Sequence, residues 1–439
     1  MIDTLDNQTD LSDCVTKLQA VQAAAMRYSQ LKAQGDALQV QLQKKQMMWA
    51  TDLSAMRYRN MAYRIFMNDE LARYQQVFDN AARYVYLAAK AYDYETGLLA
   101  SDAQHTAGRD FMNQIVKSRM LGALASNGQP LVGGSIGDPG LADIMARMNA
   151  NWAVLKGRLN FMNPETETGR FSLRTELFRT LASTNSDKAW RDVLSAHVVN
   201  NVLTVPEFQR YCIPFNPVQT NEPAIVIPFS TTIDFRKNFF GLDLAGGDNA
   251  YDSTHFATKI RSVGVWFSNY TNIYNTGTTG GGLANEPRVY LIPAGIDSMR
   301  VPDGTSETIR QWSVVDQAIP VPYPINNSDW QNPDWNVLQD MLGGEMFNIR
   351  KFASLRAYHD SGTWDATQVS NNARLIGRSV WNSRWVLVIP GGTLLSDANL
   401  GINRFIHGSQ LSGGTAPVWD ENGVKDIKLI FQTYSYAGN

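Results

Sequence analysis

Apolar residues recur every three or four positions from Leu11 onward, at Val15, Leu18, Val21, Ala25, Tyr28 and Leu31, with Lys, Gln and Asp between them. That spacing predicts an amphipathic helix. After Gly35 the pattern resumes at Leu38, Leu42, Trp49, Leu53 and Met56, then runs through Ile65 and Phe66 to Leu71, Tyr74, Val77 and Phe78. The stretch from Tyr84 to Glu95 keeps the same habit, and no proline occurs before Pro130. A proline inside a helix costs about 3 kcal/mol, so its absence agrees with one or two long helices.

Between Gly122 and Pro139 the composition turns to Gly, Ser, Asn, Asp and Pro, as in Gly133-Gly134-Ser135-Ile136-Gly137-Asp138-Pro139. An irregular connection is expected there. Helical spacing returns over Leu141 to Leu159 and over Phe171 to Val202, the two separated by the turn-like Asn163-Pro164. From Pro206 onward short apolar runs alternate with turn signals, and strands are expected at Ala224 to Ile227, Ile260 to Ser268, Arg288 to Ile292, Ser313 to Val315, Arg384 to Ile389 and Asp426 to Tyr434. Partial alternation within Ile260 to Phe267 and Asp426 to Tyr434 fits strands buried on one face, and no helix-length connector separates the runs. The expected fold is therefore α+β, an N-terminal long-helix bundle followed by a C-terminal antiparallel β-sandwich. The expected divisions are 1–121 for long helices, 122–205 for the glycine-rich connection and further helices, and 206–439 for the β-domain.

A chain of 439 residues exceeds what one growing core accommodates, so at least two structural units are expected. Hydrophobic residues at 44% and charged ones at 18% exclude a disordered chain, and a net charge of −2 provides no bulk field for nucleic acid or an anionic membrane. No apolar run reaches the roughly 18–20 residues that span a bilayer as a helix. Met1 to Asp10 is polar and acidic, without the pattern of a secretory signal peptide. Cys14 and Cys212 have no metal-ligand spacing around them, and neither do His105, His197, His255, His359 and His407. No catalytic residue, metal or cofactor is therefore assigned. His359-Asp360-Ser361 reads as a turn, since a catalytic triad is defined by spatial roles rather than adjacency. Asp243, Asp248 and Asp252 flank Gly246-Gly247, where turn capping competes with a calcium-binding loop.

Trp330, Trp335, Trp364, Trp381 and Trp385, near Tyr323 and Tyr358, form the other conspicuous group. They serve a core or subunit interface, a partner or sugar-binding platform, or the surroundings of a carboxylate pair in a glycosidase. The helical residues Leu11, Val15, Leu18, Leu38, Leu42, Trp49, Leu53 and Met56 form a stripe that packs within the chain or against further copies of it.

Several segments in this order carry a resemblance. Tyr84-Val85-Tyr86-Leu87-Ala88-Ala89-Lys90-Ala91-Tyr92-Asp93-Tyr94-Glu95 follows the long helices, and Val205-Pro206-Glu207-Phe208 closes a mixed segment. Lys259-Ile260-Arg261-Ser262-Val263-Gly264-Val265 and the final Asp426-Ile427-Lys428-Leu429-Ile430-Phe431-Gln432-Thr433-Tyr434 complete the set. Together they resemble the C-terminal part of the A subunit of bacterial toxin complexes, the Tc toxins. The resemblance implies a non-enzymatic, pentameric translocation component whose helices form a channel and whose β-domain docks other toxin-complex subunits outside or at the surface of a cell. That family's subunit is several times longer and carries an apolar membrane-entering hairpin, to which nothing before Gly97 corresponds. The chain is thus expected to be either the C-terminal portion of a longer protein or a shorter relative. A sugar-binding β-sandwich on a helical stalk is the alternative reading.

Overall fold

Ala, Leu, Gln and Lys predominate over residues 29–52, and these good helix formers build the helix α1. The computed structural model describes residues 26–27, 29–52, 61–102, 105–118, 140–161, 164–180, 184–212, 221–234, 236–249, 255–270, 282–302, 308–314, 353–359, 375–411 and 417–437. The helix α2 (Met61–Thr96) is 36 residues long. It ends at Gly97, whose φ of 65° lets its N–H bond the Asp93 carbonyl at 3.0 Å, a left-handed cap that glycine adopts without a steric penalty.

Two compact units divide the chain, Met1–Asn80 and Ala81–Asn439. The second unit continues with α3 (Gly108–Ser118), α4 (Leu141–Arg158), β1 (Glu165–Ser172), a π turn (Leu173–Leu177), α5 (Ser186–Ala196), β2 (Val198–Val199) and α6 (Pro206–Tyr211). Then come β3 (Ala224–Phe229), β4 (His255–Ser268), β5 (Arg288–Pro293), β6 (Asp297–Arg300), β7 (Ile309–Trp312), β8 (Ala353–Arg356) and β9 (Tyr358–His359). The last elements are β10 (Trp381–Asn382), β11 (Trp385–Pro390), α7 (Gly391–Leu394), α8 (Ala398–His407), β12 (Gln410–Leu411), β13 (Val418–Trp419) and β14 (Asp426–Ala437).

The described strands form a four-stranded sheet in the order β1-β14-β4-β9, a five-stranded sheet β2-β3-β11-β5-β8, a three-stranded sheet β10-β6-β7 and the hairpin β12-β13. Pairing is antiparallel except between β4 and β9. The fold is α+β.

Alternation explains which residues meet. Ile427, Leu429 and Phe431 of β14, with Ile260, Val263, Val265 and Phe267 of β4, join one buried cluster with Ile225, Ile227, Val289, Leu291, Leu387 and Ile389 of the five-stranded sheet. The step of three between Ile260 and Val263 coincides with a register shift opposite Gln432 and Thr433, a bulge that returns the apolar side chains to the same face. The intervening positions Ala224, Tyr290, Ile292, Val386 and Val388 form a second cluster with Val202, Phe208 and Cys212. The five-stranded sheet is thus buried on both faces, which is why β11 is apolar at nearly every position and wholly buried.

Three expectations need correction. The stretch Phe171 to Val202 is not one helix: Phe171 and Ser172 end β1, and only Ser186–Ala196 is α-helical. Phe171 lies in the ladder because its ring stacks on Phe239, with centroids 3.6 Å apart, while it pairs with Leu429. Gly169 is required beside it, since a Cβ there would lie 2.5 Å from the Phe171 ring. The strand expected at Ser313 to Val315 lies at Ile309–Trp312. His359 belongs to β9 rather than to a turn, whereas Asp360 and Ser361 lie outside the described residues.

Candidate functional site

Successive helical residues point about 100° apart, so three in a row are buried only where the helix end is surrounded. Asp93, Tyr94 and Glu95, in the last turn of α2, are all buried. Each meets a different polar partner. Asp93 accepts from Arg310 Nη2 at 2.7 Å and from the Trp312 indole at 3.0 Å. The Tyr94 hydroxyl donates to Asp297 at 3.1 Å and accepts from the Ser379 N–H at 2.6 Å. Glu95 accepts from Lys259 Nζ at 2.5 Å.

Asp297 sits at the centre of this clamp, with no exposed surface, and accepts from Arg378 Nε at 3.2 Å and Asn382 Nδ2 at 2.6 Å. Burial pushes its carboxyl above the ordinary aspartate value, against the pull of Arg378, Asn382 and Tyr94. Burial likewise lowers the Lys259 ammonium, which Glu95 counteracts. Lys259 also lies over the Tyr94 ring, 5.4 Å from its centroid. The helix end is therefore fixed by charge pairs to β4 and β7 and by Tyr94 hydrogen bonds to β6 and the segment before β10. Gly108 belongs to the same arrangement, because a Cβ there would lie 2.3 Å from Asp93 Cβ.

A second carboxylate knot holds the π turn. Glu176 accepts from the Ser172 N–H at 2.9 Å, the Asn249 N–H at 3.2 Å and Asn249 Nδ2 at 3.1 Å. Asp426 accepts from the Ser172 hydroxyl at 2.8 Å and the Arg174 N–H at 3.2 Å. Burial raises both carboxyls while these donors lower them. Their oxygens hold the Ser172, Arg174 and Asn249 backbone N–H groups together with the Ser172 and Asn249 side chains.

The glycine-flanked aspartates behave as turn and ion-pair groups. Asp248 accepts both Arg179 Nη1 at 2.8 Å and Arg179 Nη2 at 2.7 Å, and it caps the Ala245 N–H at 2.8 Å. Asp243 pairs with Lys237, and Asp252 lies outside the described residues. Among the described residues no group of His, Cys, Asp and Glu is arranged to hold a metal.

The aromatic platform is corrected in part. Trp381 and Trp385 are 1% and 0% exposed, which removes them from any partner or ligand surface. Trp385 donates to the Thr231 hydroxyl at 3.0 Å and packs on Phe229 and Phe431, and Trp381 packs on Phe239. Trp385 lies in the sheet buried on both faces, and Trp381, in β10 of the three-stranded sheet, is enclosed in the same buried cluster. Trp330, Trp335 and Trp364 lie outside the described residues.

On the helical stripe, Leu38, Leu42 and Trp49 are 65%, 58% and 70% exposed, and Leu31 is equally open. Their azimuths nearly coincide, since the separations of seven, four and seven residues from Leu31 to Trp49 add up to about five turns. Leu11, Val15, Leu18, Leu53 and Met56 lie outside the described residues. No described helix is long and apolar enough to cross a membrane. The polar clamp was missed in the sequence because Asp93 and Glu95 read as an ordinary solvated helix end. The only cue was the following Gly97. No family model matches the chain, and no curated protein matches it.

Proposed function

We propose that the chain is a non-enzymatic assembly component that associates with copies of itself through its N-terminal helices and docks partner subunits through its β unit. The observation that carries this reading is the exposed line Leu31, Leu38, Leu42 and Trp49 on α1. Burying such side chains contributes roughly 1.5–3 kcal/mol each, so their exposure opposes a solitary state. In this reading the helices form a bundle around an axis, and the four- and five-stranded sheets enclose their common core as a sandwich.

The resemblance to the C-terminal part of Tc toxin A subunits extends the proposal to a pentameric translocation component that acts outside or at the surface of a cell with other toxin-complex subunits. The engagement of Glu176, Asp297 and Asp426 in structural hydrogen bonds supports a scaffold role rather than a hydrolytic one. The clamp on Asp93, Tyr94 and Glu95 gives the β unit a rigid root for the end of α2. Light scattering on the purified chain tests the reading. A defined oligomer that Leu38→Glu combined with Leu42→Glu dissociates supports it, and a monomer at micromolar concentration contradicts it.

A further inference from the structure

We propose that the open half of β1 is a docking edge for an extended segment of another chain that carries Lys or Arg at alternate positions. β1 borders the four-stranded sheet and pairs only with β14 among the described strands. In an antiparallel strand the N–H and C=O of one residue point to the same side, and the side alternates along the chain. The Arg170 carbonyl accepts from Asn249 Nδ2 at 2.8 Å, and the Ser172 N–H donates to Glu176 at 2.9 Å, so the even-numbered residues face away from β14. By that parity the backbone groups of Thr166 and Thr168 face outward as well.

Among the described residues, Asn249 and Glu176 close the edge at one end. At the other, Glu165, Thr166, Glu167 and Thr168 are exposed in succession. Unpaired border groups on a strand are a template for strand addition, in which backbone hydrogen bonds provide affinity and alternate side chains provide choice.

The side chains select the occupant. Glu165 and Glu167 share one face of the strand. Glu165 meets His255 Nε2 at 2.8 Å, and Glu167 has no ion pair among the described residues. A second copy of β1 is disfavoured, because antiparallel self-pairing through the even-numbered residues sets glutamate against glutamate, and like charges placed opposite destabilise a pair. A segment with Lys or Arg at alternate positions meets both carboxylates. This inference rests on the reading of the β unit as the partner-docking part, and it is independent of whether the helices self-associate.

The test uses the full chain and the probe peptide Lys-Thr-Lys-Thr-Lys-Thr-Lys, with the same sequence carrying Glu for Lys as control, in calorimetric titration and amide hydrogen exchange at low salt. The expected result is binding of the lysine peptide alone, with exchange at Thr166 and Thr168 slowed about tenfold. Thr168→Pro removes one outward N–H without touching the ladder to β14 and is expected to weaken binding about tenfold. Glu167→Lys is expected to lower affinity for the lysine peptide. Absence of binding to the wild-type chain overturns the proposal, as does protection located away from residues 165–168, equal binding of both peptides, or association of β1 with a second copy. The exchange measurement on the wild-type chain decides even if Thr168→Pro does not fold. Light scattering on the same sample reports helix association separately, so the two readings fail independently.

Discussion

Lys259 in β4 places its Nζ 2.5 Å from the Glu95 carboxylate at the end of α2, although 164 residues separate the two in sequence. The lysine side chain is wholly buried and the glutamate nearly so. Removing one partner of such a pair leaves the other charge stranded, which typically costs about 3–5 kcal/mol, whereas replacing both by apolar groups of similar volume is often close to neutral. Lys259→Met and Glu95→Gln are each expected to lower the unfolding free energy by roughly that amount in urea titrations. Lys259→Met combined with Glu95→Leu is expected to recover most of the loss. Equal and additive losses would show that the contact is not an ion pair in a dry site.

Glu222 offers a pH test with a defined sign. It is buried, its carboxylate accepts the Gly392 N–H at 2.6 Å, and burial raises its carboxyl above the ordinary 4.5. The folded state therefore holds this proton more tightly than the unfolded one. The stabilising contribution is fully present below pH 4.5 and is lost as the pH rises through the raised folded value. Glu222→Gln keeps an acceptor for Gly392 and removes the titration. Across that window the stability of the variant is expected to rise relative to wild type, measured by urea unfolding at stepped pH.

Trp385 separates core packing from a binding platform. Its ring is fully buried against Phe229 and Phe431. Trp385→Ala is expected to cost about 3–5 kcal/mol by leaving a cavity. Trp385→Phe loses the hydrogen bond to Thr231 but refills most of the space, and a smaller loss is expected. Thermal unfolding of the two variants provides the comparison.

Two glycines should respond in opposite directions. Gly108→Ala forces a Cβ to within 2.3 Å of Asp93 Cβ, so the clamp must shift and the melting temperature is expected to fall. Gly35 lies within α1 and has nothing within 4 Å of its added Cβ. Gly35→Ala is expected to stabilise the helix by up to about 1 kcal/mol, read as a gain in helical circular dichroism.

The long helices were legible because their three- and four-residue spacing survives in the sequence, and β4, β11 and β14 because burial demands dense apolar runs. β1 was not. Glu165 to Arg170 has no apolar alternation, since this half of the strand covers no core, and only pairing with β14 defines it. The roles of Trp381 and Trp385 were equally hidden, because aromatic content is the same for a ring packed in a core and for one stacked on a sugar. Asp93 and Glu95 look like any charged helix end until Lys259 and Arg310 arrive from distant strands. The strand at Ile309–Trp312 escaped because Arg310 and Gln311 interrupt its apolar pattern.

The central claim is that the line of Leu31, Leu38, Leu42 and Trp49 is covered by other copies of the chain. Electron microscopy of negatively stained particles, supported by light scattering, addresses it most directly. The account predicts closed particles of cyclic symmetry with the helices around the axis. Uniform single-chain particles would contradict it.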